Sequence, residues 1–262
     1  MFLKRIISSI LLVGVIVSAI FIEWMFYVTV MCFIIAGLYE FFGMLKQKGI
    51  RSFKYVGIGL GAIIPLSIIF RFEPTKNWEL FFIVSMLLFL FLMQFRRQGT
   101  TGVIVDISTT IFGIIYISWF FSFLIKIRAM DIGYLSAILL ITKLGDIGAY
   151  VVGMRCGKTP FVPLISPKKS IEGSIGGFLF SIGGALLCKP FLHFTYFHLM
   201  VMGIFFGIMA QLGDLFESMI KRDCLIKDAG KLFPGLGGVL DTIDSVLFTA
   251  PAFYFYLSVI KN

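Results

Sequence analysis

WELFFIVSMLLFLFLMQF, residues 78–95, decides the fold. Among its 18 residues only Glu79 is ionisable, and apolar residues do not alternate with polar ones at period two. A barrel strand would show that alternation. A run of about 20 apolar residues is instead the length of a membrane-spanning helix, which satisfies its own backbone hydrogen bonds where no water can. Comparable runs lie near residues 6–22, 25–43, 55–70, 103–125, 132–152, 173–188, 197–216 and 238–260. The chain is therefore predicted to be an all-α polytopic membrane protein with about nine transmembrane helices.

Composition agrees and narrows the function classes. Hydrophobic residues make up 59% of the 262 and charged residues 14%, with a mean hydropathy of +1.00. Soluble domains carry about 25% charge, so a soluble enzyme, a disordered chain and a disulfide-stapled module are excluded. Cys32, Cys156, Cys188 and Cys224 form no CxxC pair and have no partnering histidine, which speaks against a zinc or redox site. The start, MFLKRIISSILLVGVIVSAIFIEW, has the basic head and apolar run of a signal peptide, with Val17-Ser18-Ala19 resembling a cleavage site. The charge distribution favours an uncleaved first span.

A net charge of +9 would point to nucleic acid in a soluble protein. In a membrane protein, Lys and Arg gather in cytoplasmic loops instead. With nine spans and the N-terminus cytoplasmic, 16 basic residues fall inside and six outside, and Lys143 lies within a span. No nucleic-acid partner is expected. Eight of the 14 acids lie between Asp146 and Asp244. Residues 1–130 thus read as transmembrane scaffold, and residues 131–262 as a catalytic transmembrane region with its active site on the cytoplasmic side.

Two stretches carry chemistry. In LGDIGAYVVGMRCGKTPFVPLISPKKSIEGSIGG (144–177), Asp146 sits inside a span, where an ionisable group either serves function or is neutralised by Lys143 three residues before it. Gly145, Gly148, Gly173, Gly176 and Gly177 permit close helix packing. Ser166-Pro167 and Ser170 read as helix starts, placing Lys168 and Lys169 beside helix N-termini, as a phosphate site or a lipid-headgroup contact. In QLGDLFESMIKRDCLIKDAGKLFPGLGGVLDTIDS (211–245), Asp214, Ser218 and Lys221 recur at helical spacing with Glu217 alongside, and Asp241 and Asp244 share a second helix face. Lys227, Asp228 and the turn Pro234-Gly235-Leu236-Gly237-Gly238 lie between them. Carboxylates that bind magnesium together with substrate phosphates, and cations that neutralise the remaining oxygens, suit phosphoryl or nucleotidyl transfer. His193 and His198 fall in an outside loop, so a Ser-His-Asp triad with the inside serines is excluded. No P-loop is present in the sequence.

The stretch SMIKRDCLIKDAGKLFPGLGGVLDTID (218–244) resembles the signature of the phosphatidate cytidylyltransferase family. Ser218, Lys221, Arg222, Lys227, Asp228, Gly230, Pro234, Gly235, Gly237, Gly238, Asp241 and Asp244 match it. GDIGAY (145–150), ISPKKSIEG (165–173) and QLGDLFES (211–218) are similar to its other recurrent segments. Leu236 and Thr242 depart from it, standing where the family has His and Arg. The resemblance implies that CTP and phosphatidic acid, in the cytoplasmic leaflet of a bacterial inner membrane, give CDP-diacylglycerol and pyrophosphate. It implies magnesium, alone or with a second cation, on Asp214 and Asp241, with Asp228, Asp244 and Asp146 as further ligands. Lys221, Arg222, Lys227, Lys168 and Lys169 would bind phosphates, with Gly237 and Gly238 giving backbone room, and Ser218 would bond a phosphate or cap its helix. The resemblance also implies a homodimer surrounded by membrane lipids. A CTP-dependent polyprenol or lipid kinase, a transporter lined by Asp146, Asp214 and Asp241, and an inactive relative are the alternatives.

Overall fold

The computed structural model describes residues 13–72, 78–97, 101–233 and 237–261. Residues 13–21 are helical. They are followed by α1 (Glu23–Gln47), α2 (Lys54–Ile69), α3 (Trp78–Arg96) and α4 (Val103–Met130). Then come α5 (Ile132–Cys156), a two-stranded antiparallel hairpin β1 (Pro160–Val162) and β2 (Ser166–Ser170), α6 (Ile171–Leu187), α7 (Tyr196–Asp223) and α8 (Leu240–Lys261). Among the described residues six helices, α1, α3, α4, α5, α7 and α8, are long and apolar enough to cross a membrane. The protein is a helical membrane protein. Helices α2 and α6, with 16 and 17 residues, are shorter apolar helices. At about 1.5 Å per residue they reach less than the ~30 Å of a hydrocarbon core.

The chain divides into two compact units, Met1–Ile125 with Cys224–Leu240, and Lys126–Asp223 with Asp241–Asn262. In the first, glycines receive large side chains. An added Cβ would meet Leu38 at Gly61, Phe42 at Gly57 and Phe41 at Gly113, each within 2.6 Å. These three notches fix the rotation of α1 against α2 and α4. Helix α4 contains a π-helical turn, Ile114–Trp119, within which Ser118 donates to the Gly61 carbonyl. Loop charges are stapled as well. Arg97 Nη1 donates to the Arg51 carbonyl and to Asp106 Oδ2, its guanidinium lies 3.6 Å over the Phe53 ring, and Asp106 Oδ1 accepts from the Arg51 amide.

In the second unit α5, α6 and α7 pack antiparallel through small residues. Gly145 faces Gly177 and Ser181, Gly148 faces Gly176, and Gly153 faces Gly173. An added Cβ at Gly203 would strike the Ile182 backbone at 2.5 Å, and Gln211 Nε2 donates to the Ser174 carbonyl at 2.9 Å. Without a hydrophobic drive between helices in lipid, such close backbone approach supplies the association.

Two sequence expectations are corrected. Ser166-Pro167 does not begin a helix but lies in β2, paired with β1 at Val162↔Ser166 and Pro160↔Ser170. Pro160, Pro163 and Pro167 keep this stretch extended. The helix begins only after Ser170, whose Oγ accepts from the Gly173 amide as a true N-cap. Helix α7 begins at Tyr196, so His198 lies in its first turn and not in a loop, and it outruns the apolar stretch 197–216 at its end, continuing through Glu217, Lys221 and Arg222 to Asp223. Straight-chain polar residues are good helix formers, and hydropathy marks where the apolar stretch ends rather than where the helix does.

Candidate active site

The site in the second unit grows from the contact between α7 and α8. These helices run antiparallel, as Phe206 against Phe253, Phe216 against Phe248 and Lys221 against Asp241 require. They come close at Gly213, where an added Cβ would lie 2.6 Å from the Asp244 carbonyl oxygen and 3.2 Å from Ser245 Cα. Asp214, the next residue, therefore lies beside the start of α8, and the side chain of Lys221, about two turns further on, reaches Asp241. The glycine of QLGD is a packing requirement that places a carboxylate.

Three lysines meet these acids. Lys221 Nζ donates to Asp241 Oδ1 at 2.6 Å and is ion-paired with Glu217 Oε2 one turn back on α7. Lys169 Nζ, from β2, reaches Asp214 Oδ2 at 2.7 Å. Lys143 Nζ, from α5, donates to Asp146 Oδ2 at 2.9 Å and to the Thr242 carbonyl at 3.1 Å. Ser245 joins two of the acids: its Oγ donates to Asp146 Oδ1 at 2.9 Å and its amide to Asp244 Oδ1 at 2.6 Å. Asp244 is buried and lies within electrostatic range of Asp214 and Asp146. Five carboxylates from three helices thus share one locality with three ammonium groups.

The predicted residues divide accordingly. Asp146, Lys169, Asp214, Lys221, Asp241 and Asp244 are brought into one locality as three bonded sets, Lys169 with Asp214, Lys221 with Asp241, and Asp146 with Asp244 through Ser245. Ser218 stands beside Asp214, its Oγ at a long 3.5 Å, but it lies inside α7 and so caps nothing. Arg222 Nε donates to the Ile165 carbonyl at 3.0 Å, tying the end of α7 to the hairpin, while Lys168 is exposed on β2. Lys227 and Asp228 are exposed on the segment 224–240, which belongs to the first unit with Gly230, Gly237 and Gly238. Pro234, Gly235 and Leu236 lie outside the described residues. The Lys143–Asp146 pair forms, and it also bridges α5 to α8 through Thr242 and Ser245. Among the described residues no three His, Cys, Asp or Glu side chains gather tightly enough to cage an ion by themselves. His198 lies in α7 and bonds Tyr256 while stacking on Phe194, a structural use.

Three acids play parts that the residue pattern did not reveal. Glu217 is fully buried against Lys221. Glu172 accepts from the amides of Lys158 and Thr159 and from Thr159 Oγ1, fastening the hairpin to α6. Backbone amide donors, its own and those of Lys158 and Thr159, hold the Glu172 carboxyl down at about 2. Glu40, in α1, accepts from the amides of Val239 and Leu240. A lone acid in the apolar run 25–43 was the available signal, since an ionisable group within a span marks a partner or a function.

A helical membrane protein with lysine–carboxylate pairs gathered where three of its helices and a short hairpin meet is the class that fold and site define. Residues 3–260 match the cytidylyltransferase family, and the chain belongs to it. It is 32% identical to a phosphatidate cytidylyltransferase of Synechocystis sp., covering 97% of this chain and 96% of that protein. It is 30% identical to the phosphatidate cytidylyltransferase of Thermotoga maritima, over 83% and 82% of the two chains. The Bacillus subtilis phosphatidate cytidylyltransferase is 38% identical over 55% of each.

Proposed function

We propose that this protein transfers the cytidylyl group of CTP to phosphatidate, forming CDP-diacylglycerol and pyrophosphate. A phosphate monoester is already anionic near neutral pH, its second pKa being about 6. The phosphatidate oxygen can therefore attack the α-phosphorus of CTP without a general base, and the bond to the pyrophosphate oxygen breaks as the new P–O bond forms. What the protein must supply is positioning and positive charge between two polyanions. Lys221, Lys169 and Lys143 serve this role by exchanging their carboxylate partners for phosphate oxygens, with Arg222, Lys168 and Lys227 as further phosphate contacts. The observation that carries the reading is Lys221, held between Glu217 and Asp241 in a chain of this family.

The chemistry of the donors supports magnesium, with substrate phosphates supplying the oxygens that the acids of the described residues do not by themselves gather. Asp146, Asp214, Glu217, Asp241 and Asp244 outnumber Lys143, Lys169 and Lys221 by two formal charges, and all donors are hard oxygens. Magnesium needs only one or two carboxylates when phosphates complete its shell. Asp214 and Asp241 would hold it, with Asp244, Asp146 and Asp228 as further or outer ligands. The ion would screen the charge on both substrates. Nine spans, a cytoplasmic N-terminus, a site facing the cytoplasm from a bacterial inner membrane and a homodimer complete the proposal. The 16-to-6 bias of basic residues supports the orientation. At Thr242, where the signature has arginine, Lys143 already brings a cation to the backbone, which supports retained activity.

The test is direct. Purified protein in detergent micelles, with phosphatidate, magnesium and CTP labelled in its cytosine, should place label in the lipid extract and release one pyrophosphate per lipid formed. Release of CDP with an unlabelled lipid phosphate would assign a lipid kinase instead. Solute flux in proteoliposomes without CTP consumption would assign a transporter.

A further inference from the structure

Helix α1 is apolar through its middle, yet Glu40 lies there, half-buried. Leu38, Phe41 and Phe42, lodged in the notches of Gly61, Gly113 and Gly57, leave α1 no freedom to turn Glu40 elsewhere. Its two carboxylate oxygens are used separately. Oε1 accepts from the Val239 amide at 3.0 Å and Oε2 from the Leu240 amide at 2.9 Å. These amides belong to the start of α8, whose first N–H groups have no partner within the helix. Capping of this kind is ordinarily done by a Ser, Thr, Asp or Asn at the helix start. Here a carboxylate about 200 residues earlier in the chain does it, and its charge also complements the helix dipole.

The same carboxylate explains two glycines. A Cβ at Gly230 would lie 2.1 Å from Glu40 Oε1, and a Cβ at Gly238 would lie 2.4 Å from Oε2. Between them Phe233 and Gly237 close the segment with paired backbone bonds of 2.9 and 3.1 Å, and Gly237 takes a left-handed φ of 101°. Glu40 thus fills the space that glycines at 230 and 238 leave, and grips the backbone just before Asp241.

We propose that Glu40 is a positioning residue: by clamping the backbone of Gly230 and Gly238–Leu240 it sets the phase of the first turn of α8, and with it the direction in which Asp241 points. The proposal rests on the cytidylyl-transfer reading, in which Asp241 serves the metal and phosphates. A misplacement of 1 Å in such machinery can lower a rate by about a hundredfold.

The experiment uses the full chain in detergent. In Glu40→Gln, the amides of Val239 and Leu240 should exchange hydrogen about ten- to hundredfold faster, read from overlapping peptides. The magnesium concentration for half-maximal CDP-lipid formation should rise about tenfold, with high magnesium restoring part of the rate. Gly238→Ala, which puts a methyl where the carboxylate lies, should reproduce both effects, and Glu40→Asp should recover part of each. Should Glu40→Gln fail to fold, Gly238→Ala and Glu40→Asp carry the same readouts. Unchanged exchange and unchanged magnesium dependence in these variants overturn the proposal. So does a lower yield of folded protein whose exchange and magnesium dependence match the wild type. A wild-type protein that makes no CDP-lipid overturns the reaction instead, and the exchange measurement then judges the clamp by itself.

Discussion

Asp106 in the first unit and Asp214 and Asp241 in the second are carboxylates in apolar surroundings, but they are held by different kinds of partner. Asp106 accepts from the Arg51 amide and from Arg97, and Arg97 is itself fixed by the Arg51 carbonyl and the Phe53 ring. Asp214 and Asp241 hold the ammonium groups of Lys169 and Lys221. A carboxylate bonded to a backbone amide can change partner only if the backbone moves. One bonded to a lysine can change partner by rotating a flexible four-carbon stem. The first arrangement suits a staple, and the second a site whose charges must be handed to incoming phosphates. Glu40 belongs with Asp106 by its bonding, although the backbone it grips leads into the site.

The sharpest way to break this comparison is Asp241→Asn. If Asp241 is an exchangeable charge, turnover should fall by on the order of 10²–10³-fold, the loss typical of removing one transition-state contact, while the melting temperature stays close to wild type. Near-full magnesium-dependent activity in the purified variant would end the assignment. Lys221→Met should act on both properties. It leaves fully buried Glu217 without its ion pair, which destabilises by about 3–5 kcal/mol as for other broken buried pairs, and turnover should fall about tenfold or more. A thermal melt paired with kinetics checks this, and a variant as stable as wild type would show that Glu217 and Lys221 are not coupled.

Asp106→Asn sharpens the other side. It should lower stability by about 1–3 kcal/mol, the range for losing hydrogen bonds to a charged group, with turnover per folded molecule within about twofold of wild type. A large loss of turnover at unchanged stability would erase the distinction between the units. The smallest effect is expected at Glu172. Its carboxyl is depressed from 4.5 to about 2, so the hairpin fastening is fully present above the ordinary carboxylate value and is lost as pH falls from there toward 2. The protection of residues 157–165 against hydrogen exchange, taken relative to the intrinsic rate at each pH, should fall over that window in the wild type. In Glu172→Gln that protection should already be reduced at neutral pH and flat with pH.

Much of the fold is legible in the chain because hydrocarbon imposes a simple demand. Apolar runs at 25–43, 78–95 and 132–152 correspond to α1, α3 and α5 with small changes at their ends. The site is legible in part for a related reason, since Asp146, Asp214, Asp241 and Asp244 stand out as acids in or beside apolar helices. The hairpin at 160–170 escaped this reading because three prolines and two lysines leave no periodicity to follow. Ser245 escaped it because a serine inside a helix is unremarkable until Asp146 is found beside it.

Glu40 is the extreme case, because its partners lie 199 and 200 residues away. By itself the sequence determined which apolar stretches of the described residues are helical and which ionisable side chains had to find shelter, since these follow from the solvation of each segment alone. Tertiary structure decided the pairings: Lys169 with Asp214, Lys221 with Asp241, and Glu40 with the start of α8. Long side chains can reach several partners, and only the rotation of each helix, set by neighbours seated in glycine notches such as Gly57, Gly61, Gly113 and Gly213, selects one of them.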